Sequence, residues 1–169
     1  MKRSQMHELR KWVGDLNALC GLKDYTYNDG LARGMRAFDL NNGRGLQMTV
    51  LAGRGLDVPF LSFKGVNMGF CSKTGVSAPE FYVEDGGRGF LKRFYAGMLT
   101  TCGITYAGSS GEDQGRQLGL HGNYDNSPAE QARAYADCEG DDCVLRVEGM
   151  VREACVFEEN VRLSRRMTL

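Results

Sequence analysis

His121 is the residue best suited to proton or hydrogen-bond chemistry. It sits in Leu120-His121-Gly122, after a polar loop from Gly108 to Gln117 and before Pro128. Imidazole is the side chain most readily tuned for proton transfer near neutral pH, and it can equally donate to a sugar hydroxyl. The glycine after it lets a bulky ligand approach the backbone. Read from the residues alone, a histidine in such a setting is more often structural than functional. Arg54 and Asp57, in Gly53-Arg54-Gly55-Leu56-Asp57, form a second polar pair in apolar surroundings. Placed at a strand bend, they either contact a ligand or satisfy each other. Arg93 is a third candidate, because guanidinium offers a planar fork of donors that suits vicinal hydroxyls or carboxylates. Phe81, Tyr82, Phe94 and Tyr95 can stack on a sugar face, although aromatics in such runs usually pack in a core. Gly86-Gly87-Arg88-Gly89 is no phosphate loop, since no Gly-Lys-Ser/Thr follows it.

Metal and disulfide chemistry have less support. The only histidines are His7 and His121, and there is no Cys-x-x-Cys among six cysteines, so no metal site and no cofactor is expected. Cys71, Cys102 and Cys155 lie in apolar, strand-like runs and are expected to act as small hydrophobes. Cys138 and Cys143 flank Glu139-Gly140-Asp141-Asp142, which reads as a hairpin turn, so their pairing is geometrically possible. A reducing cytoplasm is the default expectation.

The elements that carry these residues are mostly strands. Twenty-three glycines with only three prolines in 169 residues suit a β chain with many tight turns. Met6, Leu9, Trp12, Val13 and Leu16 recur at helical spacing and predict a short N-terminal helix, with Ser4 as a cap and Gly14 weakening its later turns. From Gly34 the period changes to two. Four strand-like runs between about residues 34 and 71, joined by short glycine turns, predict an antiparallel meander, because parallel strands need long crossovers. Residues 73–90 read as a long loop that folds over something. Phe90 to Leu99 is a short helix or a strand, and Gly97 to Thr105 reads as a strand. Gln131–Asp137, Cys143–Met150, Val151–Phe157 and Asn160–Leu169 complete the strands.

Composition excludes other classes. Twenty-one basic residues balance twenty-one acidic ones, which argues against a nucleic-acid partner that works by phosphate neutralisation. No apolar run approaches the roughly 20 residues of a membrane span, and the charged start is not a secretory signal, so no membrane partner is expected. Leu169 ends the sequence inside an alternating pattern. The expectation is a partial domain with exposed strand edges that favour self-association; the alternative is a genuine C-terminal edge strand.

Three runs carry a resemblance: Ala52-Gly53-Arg54-Gly55-Leu56-Asp57-Val58, Phe94-Tyr95-Ala96-Gly97-Met98-Leu99-Thr100-Thr101-Cys102-Gly103-Ile104, and Leu118-Gly119-Leu120-His121-Gly122 with Asn126-Ser127-Pro128-Ala129. Together with the strands from Val147 to Arg165, they resemble an uncharacterised branch of the aldose 1-epimerase, or galactose mutarotase-like, superfamily. The likeness runs from about residue 30 to the end and matches the N-terminal half of members twice as long. It implies an all-β fold, part of an antiparallel β-sandwich called the supersandwich. Residues 1–30 would form the helix and lead-in, and 31–169 the first half of the sandwich domain. It also implies a monosaccharide or sugar derivative as ligand, and mutarotation by opening and reclosing the sugar ring. His121 inherits a sugar-positioning role and is the expected catalytic residue. Arg93 matches a substrate-binding arginine, while Arg54 and Asp57 match a signature of the branch and are taken as substrate-binding. The family's glutamate base and histidine acid lie in the half not represented here. A non-catalytic carbohydrate-binding module is therefore the alternative reading, and a purely structural β-domain is a third.

Overall fold

Two antiparallel sheets packed face to face position every residue discussed above. The computed structural model describes residues 2–139 and 142–169. A helix, α1 (Arg3–Arg10), precedes strands β1 (Gly21–Thr26), β2 (Arg36–Asn41), β3 (Leu46–Leu51), β4 (Asp57–Phe63) and β5 (Val66–Asn67). These five strands form one sheet in sequential order, the expected meander with β1 added at its edge, and of the run expected over Val66–Cys71 only Val66–Asn67 stays in it. β6 (Phe70–Cys71) pairs with β7 (Ala96–Gly97), and β8 (Gly111–Asp113) pairs with β9 (Arg116–Leu118). The long strands β10 (Glu130–Glu139), β11 (Asp142–Ala154) and β12 (Asn160–Thr168) make a three-stranded sheet.

Alternation explains the packing. Phe38, Leu40, Val50, Ala52, Leu56 and Val58 point from the first sheet into a core closed by Val147, Ala132, Ala134, Leu145 and Met167 of the second. Full burial of each large aliphatic or aromatic side chain contributes roughly 1.5–3 kcal/mol. The other face of the first sheet is covered differently. Met35, Ala37, Leu51 and Tyr95 pack with Ala78, Val76 and Phe81, so the 73–90 loop folds over the sheet itself.

Several expectations need correction. α1 stops at Arg10 rather than running to Leu16, and Lys2 rather than Ser4 holds the N-cap. Gly14 interrupts the pattern, and Asp15 starts a new 3-10 turn by accepting from the Asn17 N–H at 2.9 Å. Trp12 is 85% exposed instead of packed. β1 was hidden in the lead-in because its edge position leaves Lys23 and Asp24 in solvent and removes the alternation. The Thr100–Thr105 run is not a strand. Gly97, Gly103 and Ile104 take left-handed backbone there, and only a bridge between Leu99 and Val58 survives. Cys71, Cys102 and Cys155 are exposed rather than core, whereas Cys20 is buried. Cys138 and Cys143 are opposite one another in the β10–β11 register and joined by a disulfide. The centre of the turn expected between them lies outside the described residues. No helix among the described residues is long and apolar enough to cross a membrane.

Candidate functional site

The segment Gly53–Asp57 leaves β3 and enters β4, and its two charged residues go in different directions. Arg54 is fully buried. Its Nη2 meets Asp125 Oδ2 at 2.7 Å and its Nε donates to the Asp125 carbonyl at 2.8 Å. Nη1 donates to the carbonyls of Arg93 at 3.0 Å and Ser77 at 3.2 Å. The guanidinium also lies over the Tyr95 ring, 5.0 Å from its centroid. Every arm of the fork is therefore committed to protein.

Asp57 is equally buried. It accepts from the Thr101 N–H at 2.8 Å and the Thr101 hydroxyl at 2.7 Å, and it pairs with Arg165 Nη1 at 2.8 Å. The same Arg165 nitrogen donates to the Gly55 carbonyl at 2.6 Å. Tyr124 donates its hydroxyl to that carbonyl at 3.0 Å. Gly55 has φ +64°, and a Cβ there would lie 2.9 Å from Tyr124 Cε1, so the turn admits only glycine without displacement. Burial pushes the carboxyls of Asp57 and Asp125 above their ordinary values, against the pull of their arginine partners.

Arg54 and Asp57 thus do not satisfy each other, and neither presents a free group to a ligand. They are hubs that tie β3–β4 to the 73–105 segment, to the 123–127 turn and to β12. Arg93 is also engaged: its Nε and Nη2 donate to the Phe81 carbonyl at 3.1 and 2.9 Å. Of the aromatic candidates, Tyr95 is buried and Phe81 packs in the sheet-covering cluster. Phe94 stacks on Phe90, with ring centroids 5.0 Å apart.

His121 stands at the edge of this framework and is half-buried. Its backbone is held at both ends, with its N–H donating to Gly108 and its carbonyl accepting from Gly103. The φ of +61° is uncommon for a residue with a side chain. Gly122 follows at φ +75°, where a Cβ would lie 2.7 Å from the Tyr106 carbonyl oxygen. The ring's Nδ1 accepts from the Gly108 N–H at 3.2 Å. In the neutral ring that bond assigns the proton to Nε2 and leaves Nε2–H as the donor. Phe90 packs edge-on against the ring at 5.0 Å. Beside this segment, Tyr82 donates to Glu84 Oε2 at 2.6 Å, and that oxygen lies 3.4 Å from where a Gly119 Cβ would sit.

All four expected residues therefore belong to one connected region, and His121 is the member with a side-chain nitrogen, Nε2, that makes no hydrogen bond among the described residues. Sequence reasoning missed Asp125, Thr101, Tyr124, Arg165 and Glu84. Asp125 sits in a turn-rich stretch and Thr101 in a strand-like one, so no local pattern marks them. Among the described residues, no group of three or more His, Cys, Asp or Glu side chains gathers as a metal site would require.

The model of the family described as Domain of unknown function (DUF4432) matches residues 32–169. No curated protein matches the chain. Among solved structures, a Klebsiella pneumoniae subsp. pneumoniae MGH 78578 protein provisionally assigned as an aldose 1-epimerase superposes with a TM-score of 0.81 at 21% identity. That match covers 100% of this chain and 42% of the other. Galactose 1-epimerase from Lactobacillus acidophilus NCFM superposes with a TM-score of 0.51 at 17% identity, over 89% of this chain and 45% of the other. The likeness establishes an all-β, galactose mutarotase-like fold, and this chain spans less than half the length of either structure.

Proposed function

We propose, for a chain that belongs to the DUF4432 family and carries an aldose 1-epimerase-like fold, that it binds a monosaccharide or sugar derivative through His121 in the service of sugar mutarotation. The observation that carries this reading is the clamped imidazole. The Gly108 N–H occupies Nδ1, which leaves Nε2–H as the ring's donor, and in this reading it donates to a sugar oxygen. A ring fixed before the ligand arrives loses little freedom on binding. Arg54, Asp57 and Arg93 then act as positioning residues. Arg54 holds the Asp125 turn four residues beyond His121, and Arg93 holds the 73–90 loop by the Phe81 carbonyl. Ring opening and closure would need two proton transfers, one at the anomeric hydroxyl and one at the ring oxygen.

One observation favours the second reading, a carbohydrate-binding module without catalysis. The only other histidine, His7, is exposed on α1, so this chain brings a single imidazole to the region. A cytoplasmic location belongs to the same proposal: Cys20, Cys71, Cys102 and Cys155 are free thiols, with the Cys138–Cys143 bridge the exception.

Titration with a panel of aldoses, and polarimetry on the same samples, test the reading. Binding is expected, with His121→Ala weakening it about tenfold through loss of one ligand hydrogen bond. Faster mutarotation supports the enzyme, and binding without acceleration supports the module. Affinity unchanged in His121→Ala removes the histidine from the site.

A further inference from the structure

The outward face of the β10–β12 sheet carries more arginine than its carboxylates can satisfy. An open cleft of about 690 Å³ lies there, lined by Arg133, Arg162, Arg165 and Arg166 with Glu148 and Ser164 among its walls. In a chain whose charges balance overall, this is a local surplus. Glu148 is already crowded. It accepts from Arg133 Nε at 2.8 Å, Arg166 Nε at 3.0 Å and the Tyr135 hydroxyl at 3.2 Å. One carboxylate thus serves two guanidinium groups. Arg165 borders the cleft from the other face of β12, where its guanidinium is neutralised by Asp57 at 2.8 Å. Arg162 has no ion pair or hydrogen bond among the described residues. It stands directly opposite Arg152, whose own partner is Glu130 at 3.2 Å. Like charges placed opposite each other across strands repel and destabilise a sheet. An arrangement of that kind is relieved when an anion sits between the cations.

We propose that this cleft binds the anionic group of a phosphorylated or acidic sugar. Two positive charges remain after Glu148 and Asp57 are assigned, one from Arg162 and one from the Arg133–Arg166 pair. That surplus matches a phosphate monoester, which carries close to two negative charges at neutral pH, better than a single carboxylate. Guanidinium forks suit either oxyanion, because both present paired oxygens to parallel N–H groups. The Ser164 hydroxyl on the same edge strand is available to hydroxyl groups of the same ligand. The sugar part of the proposal rests on the reading of the fold given above; the anionic part rests on the arginines.

Calorimetric titration of the whole chain with glucose 6-phosphate, glucuronate, glucose and inorganic phosphate separates these parts. Glucose 6-phosphate is expected to bind at least tenfold tighter than glucose, with glucuronate between them. Arg162→Gln should weaken glucose 6-phosphate roughly fivefold, as for loss of one exposed charge contact, and leave glucose unaffected. Raising salt from 0.05 to 0.5 M should weaken the same ligand and not glucose. Glucose binding as tightly as glucose 6-phosphate would overturn the anionic assignment and leave the sugar reading standing. Inorganic phosphate binding as tightly as glucose 6-phosphate, with the same Arg162→Gln loss, would overturn the sugar assignment. Absence of binding by all four probes, or indifference to Arg162→Gln, would overturn the cleft itself.

Discussion

Replacing Arg54 with methionine keeps most of the side-chain volume and removes the hub of the buried network. Asp125, 1% exposed, is left without its cation, and the carbonyls of Arg93, Ser77 and Asp125 lose a donor. Removing one partner of a buried ion pair typically costs about 3–5 kcal/mol, because the other charge stays buried and uncompensated. With a urea m-value of about 2 kcal/mol/M, that loss shifts the unfolding midpoint down by roughly 2 M. Adding Asp125→Asn to Arg54→Met removes the orphaned charge, and the double variant should recover about half the loss. The three carbonyls still lack their donor, so recovery is incomplete. Urea unfolding followed by fluorescence reads all three proteins, with Asp125→Asn alone as the fourth corner of the cycle. A midpoint shift below about 0.5 M for Arg54→Met would mean that water or a neighbour replaces the guanidinium, and the network would not be the framework described. An Arg54→Met/Asp125→Asn protein that folds and binds sugar as tightly as the native chain would show that the network does not position His121.

Gly122→Ala places a side chain at φ +75° and within 2.7 Å of the Tyr106 oxygen, so thermal unfolding should show a loss of about 1–3 kcal/mol together with weakened sugar affinity. Reducing the Cys138–Cys143 bridge, whose cysteines are five residues apart, should lower stability by roughly 2 kcal/mol on loop entropy, and equal urea midpoints with and without reductant would contradict it. The Arg133 guanidinium holds the Glu148 carboxyl below its usual value of 4.5. Its folded pKa being lowered, the pair's contribution is present above that value and fades as pH falls through the lower folded one. Glu148→Gln should therefore lose less stability than the native protein between pH 6 and pH 3.5, and parallel pH profiles would exclude the interaction. Phe60, Phe63, Val66, Met68 and Phe70 are exposed around β4, β5 and β6, so light scattering should show self-association rising with concentration, and a monodisperse monomer at millimolar concentration would refute it.

The meander and the long strands were legible because each is a local pattern, although the runs expected separately at Cys143–Met150 and Val151–Phe157 form the single strand β11. Alternation at Phe38 and Leu40, or at Val147 and Val151, states which face is buried without reference to any partner. What failed was whatever depended on a distant partner. Thr100–Thr105 has the composition of a strand, yet Thr101 is spent on Asp57, 44 residues earlier. The Arg54–Asp57 motif was visible as an unusual pair, but its chemistry was not. Asp125 is 71 residues from Arg54 and Arg165 is 108 from Asp57, and no spacing rule connects them. Cys71, Cys102 and Cys155 were misplaced for the complementary reason, since apolar neighbours in sequence say nothing about which end of a sheet faces water.

The same logic explains why a charged cluster is buried beside a histidine rather than replaced by an apolar one. Hydrophobic residues of similar volume would stabilise the fold as well or better, because desolvating two ion pairs offsets much of their attraction. They would not fix direction. Arg54 reaches the carbonyls of Ser77, Arg93 and Asp125 at once, and each bond has an angular preference that an aliphatic contact lacks. Among the segments so fixed is the 123–127 turn that follows His121, whose left-handed backbone costs about 1–2 kcal/mol. If His121 binds the ligand as proposed, such an arrangement exchanges some stability for a fixed ring. On the proposed reading the Arg54 variant loses both stability and affinity while the His121 variant loses affinity alone, so measuring both quantities on both proteins separates a positioning network from a purely structural one.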